Sequence, residues 1–124
     1  MKHYEDPINF DIKQQCGNDL LSFDNLLEIG QGGPVVGDLF INGKQIAGYR
    51  FGGPFICDED YIYIPAYNNR LFNLGFKLAM IDRASLNVKL VGPSLSLIFL
   101  EKIQNNRVFY FEDIFKNKSN NFQL

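Results

Sequence analysis

Much of the equipment of catalysis is missing from this chain. Its 124 residues include one histidine, two cysteines and no tryptophan. A Ser-His-Asp or Cys-His mechanism needs a base held firmly against its nucleophile. His3, beside the N-terminus, reads instead as a solvated side chain. Structural zinc takes four nitrogen or sulfur ligands, usually in close pairs, which one histidine and the distant Cys16 and Cys57 do not provide. The longest apolar stretch, Leu95 to Leu100, contains Ser96 and is far too short to span a membrane. The first seven residues place Glu5, Asp6 and Pro7 where a secretory leader needs an apolar run. Without export, Cys16 and Cys57 are expected as free thiols of a cytoplasmic protein, with Cys57 in or near the core. In that compartment the glycosylation pattern Asn117-Lys118-Ser119 carries no meaning.

Other binding chemistries are equally short of parts. Gly30, Gly32 and Gly33 are not followed by the Lys-Ser or Lys-Thr of a phosphate loop. Asp58-Glu59-Asp60 groups three carboxylates, but the EF-hand spacing is absent. Adjacent acids in one turn also cannot flank a sugar from two sides. Bases of the second half such as Arg83, Lys89, Lys102, Arg107, Lys116 and Lys118 are scattered, and the net charge is −2, so no nucleic-acid partner is expected. No metal or cofactor is implied, and the chain reads as a non-enzyme.

What is abundant is strand-forming material. Twelve Phe and six Tyr accompany 46% hydrophobic and 21% charged residues, which suits one globular β-rich domain over 1–124. Gly33-Pro34, Gly53-Pro54 and Gly92-Pro93 punctuate the chain at intervals of 20 and 39 residues. Each pair permits a sharp change of direction between hairpins. Residues 8–12 alternate as a strand. Residues 18–29 read as a short helix capped by Asn18 or Asp19, or as two short strands. Four hairpins follow: Asp38–Ile41 with Gln45–Phe51, Phe55–Cys57 with Tyr61–Tyr67, Phe76–Ile81 with Leu86–Val91, and Leu95–Glu101 with Arg107–Glu112. Asn42-Gly43 suits a type I′ turn in the first. Pro65 predicts that the Tyr61–Tyr67 arm lies at an edge or near a bulge, and Asn68-Asn69-Arg70 breaks the chain after it. The expectation is an all-β antiparallel meander, with a hairpin core over 33–112 in propeller-blade-like repeats. It would form a two-sheet sandwich or a partly open barrel, with a fraying tail over 116–124.

Charge is uneven along the chain. Residues 1–60 hold ten acids and four bases, net −6, and residues 61–124 hold four acids and eight bases, net +4. Either the halves neutralise each other or the first half presents an acidic face to a cationic partner. On the second hairpin Tyr61, Tyr63 and Tyr67 share one parity, opposite to Ile62 and Ile64. They form either an outward row beside Asp58 and Asp60, suited to a protein contact, or a row covered by a second layer. Glu59, and Asp38 if its hairpin lies alongside, complete the candidate contact surface.

A short, aromatic-rich, Asn-rich chain with strands such as Ser96–Glu101 and Arg107–Glu112 and no catalytic residues resembles the immunity proteins of bacterial contact-dependent inhibition and related polymorphic toxin systems. The resemblance implies one-to-one binding of a cognate toxin domain, often a nuclease, with its active site occluded. A small-ligand carrier built on a barrel is the alternative.

Overall fold

The computed structural model describes residues 5–68 and 75–124. His3, the break at 69–70 and most of the link to Phe76 lie outside the described residues. Among the described residues the protein is all-β, built from antiparallel strands with no helix.

Residues 8–12 do not form the expected strand. Asp6 accepts hydrogen bonds from the backbone N–H groups of Ile8 and Asn9, and this local Asx turn competes successfully with extended pairing. Pairing begins at β1 (Lys13–Cys16) with β2 (Asp19–Glu28), so the stretch 18–29 holds one long strand rather than a helix or two short strands. The interruption in its apolar alternation is a bulge in which Asn25 and Leu26 oppose the single residue Gly37 of β3 (Val35–Ile41). Asn25 accepts φ 52° there. A side chain on Gly37 would collide with the Asp24 carbonyl and with Leu26.

Asn42-Gly43 makes the expected tight turn, with positive φ at both residues, between β3 and β4 (Lys44–Gln45). β5 (Arg50–Phe51) and β6 (Ile56–Cys57) then pair with the same side of β7 (Tyr61–Asn68), one after the other. β7 is therefore an interior strand, not an edge. Its proline is tolerated because the Pro65 carbonyl, which accepts from the Gly52 N–H, points to the β5–β6 side. N–H and C=O of one strand residue share a side, so the missing donor falls in the gap between β5 and β6. The other side of β7 pairs along its full length with β8 (Gly75–Asp82), which pairs with β9 (Val88–Leu95).

Gly92-Pro93 does not open a new hairpin. It lies inside β9, where the register slips between Phe76↔Leu95 and Leu78↔Val91. A second sheet contains β10 (Phe99–Gln104), β11 (Arg107–Phe111) and β12 (Ser119–Gln123) in that order. The tail expected to fray is thus an edge strand. Asp113 accepts from the Asn117 and Lys118 N–H groups to turn the chain back. Phe122 then packs beside Tyr110, ring centroids 5.9 Å apart, and over Gly92.

Strand alternation explains the layers. Ile62, Ile64 and Ala66 of β7 and Ala79 and Ile81 of β8 face one core with Leu21, Phe23, Leu39 and Ile41. The nine-stranded sheet curls so that β2–β3 and β7–β8 enclose this core. Its end strands β1 and β9 do not pair with each other, so the sheet does not close into a barrel. Tyr63, Phe76 and Leu78, of opposite parity, meet Leu100, Val108 and Tyr110 of the second sheet, and Ile98 just before it, in another core. The arrangement is a sandwich with β7 and β8 covered on both faces, as their nearly continuous apolar sequences require.

Candidate functional site

The residues expected to form one contact surface fall into two groups. β7 runs from Tyr61 to Asn68, so Tyr61 and Tyr67 are about 20 Å apart at roughly 3.3 Å per residue. Tyr67 pairs with Arg50 at the far end of the strand. Asp38, opposite Asp24 on β2, accepts from Asn25 Nδ2 at 2.9 Å, and Arg50 donates to the Asn25 carbonyl at 3.0 Å. Asp38 and Tyr67 therefore belong to the Arg50 end, and Asp58, Glu59, Asp60, Tyr61 and Tyr63 to the other.

The tyrosine row does not face solvent as a whole. Tyr63 is 6% exposed, and Tyr61 and Tyr67 are half-buried against the second core. The second sheet covers this parity of β7, which is the covering layer that sequence alternation alone leaves undecided.

At the Asp58–Tyr61 turn the structure is tightly determined. One Asp58 carboxylate oxygen accepts from the N–H groups of Asp60 and Tyr61 at 2.9 and 2.8 Å, and the other from the Tyr63 hydroxyl at 3.2 Å. Burial first, and then the adjacent Asp58 charge, push the Tyr63 phenol up to about 12. Asp58 is thus consumed by its own hairpin.

Arg83, in the β8–β9 turn, fastens this hairpin to the start of the chain. Its guanidinium donates to the Asp58 carbonyl at 2.7 Å, to the Cys16 carbonyl at 2.7 Å and to the Asp19 carboxylate at 2.8 Å. Its backbone N–H donates to the Asp60 carbonyl at 2.9 Å. A planar fork with several donors suits this three-way junction in a way that an ammonium does not. Hydrogen bonds from Asn42 and from Arg83 hold the Asp19 carboxyl below its usual value.

Cys16 and Cys57 are joined as a disulfide beside this junction. The expected free thiols are corrected, and with them one premise of the cytoplasmic placement. Sequence reading missed the bond because it depends on β1 and β6 meeting across a separation of 41 residues.

The fastened turn leaves Glu59 and Asp60 exposed. With Tyr61, Asp82 and Ala84 they line a recess of about 240 Å³. Tyr61 and Asp82 are direct cross-strand partners. Backbone N–H groups of Ser85 and Ala84 hold the Asp82 carboxyl below its usual value, so it is ionised at neutral pH. The recess presents fixed negative charge next to an aromatic ring. Asp19, Asp82 and Arg83 were missed as site residues because their spacing carries no signal: Arg83 and Asp19 are 64 positions apart.

Among the described residues no group of three or more His, Cys, Asp or Glu side chains is arranged to hold a metal ion, and no helix is long and apolar enough to cross a membrane. No family model, curated protein or solved structure matches the chain.

Proposed function

We propose that the protein is a binding protein of the immunity type, which neutralises a cognate toxin domain by occluding its active site and performs no catalysis itself. The observation that supports this reading is the braced acidic turn. Glu59, Asp60 and Asp82 are gathered around Tyr61 on backbone fixed by Arg83 and the Cys16–Cys57 bond. A rigid acidic knob loses little conformational entropy on binding and suits a basic cleft, such as that of a nuclease. The disulfide supports an oxidising compartment as the meeting place rather than the cytoplasm. The carrier alternative draws less support, because the sheet that was to enclose a ligand does not close.

A toxin domain encoded by an adjacent gene should co-purify in a one-to-one complex. Glu59→Lys with Asp60→Lys should slow association roughly tenfold and weaken its dependence on ionic strength, since electrostatic steering acts on the encounter rate. Asp58 is unsuited to this test because its side chain holds the turn. An unchanged association rate removes the turn from the contact.

A further inference from the structure

A second surface, away from the Asp58–Tyr61 turn, joins exposed apolar side chains to negative charge. The segment before β1 lies along β2 and β3, tied by Val35 N–H to the Pro7 carbonyl at 2.9 Å and Phe23 N–H to the Ile12 carbonyl at 2.8 Å. Phe10 is buried edge-on against Phe23. Between this segment and the bulge of β2 runs a groove of about 500 Å³, lined by Ile8, Phe10, Ile12, Leu26, Leu27 and Val35, with Asn9 and Glu28. Ile12, Leu26 and Leu27 are 48%, 46% and 53% exposed. The bulge holds the two leucines there: Leu26 lies over Gly37, whose missing side chain leaves it room.

The surroundings of the groove are acidic. Glu28 lines it, Glu5 and Asp6 directly precede the segment that forms its outer wall, and Asp24 and Asp38 flank the bulge. Glu5 and Asp6 accept hydrogen bonds from neutral donors, the backbone N–H groups of Ile8, Asn9 and Asp11 and the Gln14 side-chain amide. Among the described residues, the cations nearest in sequence and pairing are Lys13 on β1 and Arg50, the latter donating to the Asn25 carbonyl. A contiguous apolar surface in mainly acidic surroundings selects a partner that is apolar and oppositely charged.

We infer that this groove docks a cationic amphipathic segment of a protein partner, with aliphatic side chains against Leu26, Leu27 and Ile12 and Lys or Arg near Glu28. An anionic membrane is disfavoured by like charge, and a second copy would bring an equally acidic rim. The site is independent of the acidic turn, so either can fail without the other.

The test uses the full, oxidised chain and fluorescein-labelled twelve-residue peptides of alternating Lys-Leu, Glu-Leu and Lys-Ser, followed by anisotropy. Only Lys-Leu should bind, and Glu28→Lys and Leu27→Ser should each weaken it about tenfold. Glu59→Lys, on the turn, should leave binding within about twofold. Amide shifts of the wild-type chain should map the peptide to residues 10–12, 26–28 and 35, which keeps the test decisive if a variant fails to fold. The inference is overturned by equal weakening from Glu59→Lys, by equal binding of Lys-Ser or Glu-Leu, or by no binding. Self-association or binding to phosphatidylserine vesicles that Leu27→Ser abolishes would also overturn it.

Discussion

Replacing both cysteines by alanine tests the least expected bond in the structure. The Cys16–Cys57 link closes a loop of 41 residues in the unfolded chain. Treated as loop-closure entropy, that constraint removes about 13 cal/mol/K from the unfolded state, or about 4 kcal/mol at 25 °C. Alanine is the appropriate replacement because Cys16 is 2% exposed and a serine hydroxyl there would be buried. In urea followed by far-UV circular dichroism, the double variant should lose about 4 kcal/mol, with a steeper transition because its unfolded state expands further. For a chain of this size the thermal midpoint should fall by roughly 15 °C. Wild type held in reductant should unfold like the variant. Equal midpoints for oxidised and reduced protein, or two thiols titrating in unreduced, denatured protein, would refute the reasoning.

Three further outcomes follow from the same region and from the second sheet. Arg83→Ala should cost about 1–3 kcal/mol by leaving the Asp58 and Cys16 carbonyls and the Asp19 carboxylate without their charged donor. Arg83→Lys should recover less than half of this, and Asp19 should titrate nearer its ordinary value by NMR in both. Because the Asp19 pKa is lowered in the folded state, its contribution is present above about pH 4 and is lost as pH falls through the folded value, so Arg83→Ala should flatten the acid limb of stability. Tyr63 is shifted the other way, to about 12. Its contribution is full below about pH 10 and lost as pH rises toward 12, and Tyr63→Phe should remove one late step from the ultraviolet phenolate titration; burial also raises Tyr110, which remains. Gly92→Ala combines a φ of 80° with a Cβ 2.6 Å from the Phe122 ring. It should cost about 1–3 kcal/mol and raise amide exchange in Ser119–Gln123, with β11 less affected.

Several features were legible because their causes are local. Asn42-Gly43 can take positive φ at two successive positions, and the structure uses it that way. The opposite parities of Ile62–Ile64 and Tyr61–Tyr63 do mark opposite faces of β7. Other expectations failed where a local signal had more than one solution. Gly92-Pro93 marks a bulge within a strand rather than a boundary, and Pro65 is accommodated inside a sheet because a gap happens to face its missing donor. The bulge in β2 was foreshadowed by apolar residues at 21, 23, 26 and 27, a spacing that no unbroken strand keeps on one face.

By itself the amino-acid sequence determined that this protein is built of antiparallel strands, where most of its tight turns lie and that β7 has two distinct faces, because backbone preference and alternation act over a few residues. Only the tertiary structure decided that Cys16 meets Cys57, that Arg83 binds Asp19 and Asp58, that the tail closes the second sheet and that this sheet covers Tyr63. Those pairings join distant parts of the chain, and their partners are selected by how whole layers pack, which no local spacing encodes.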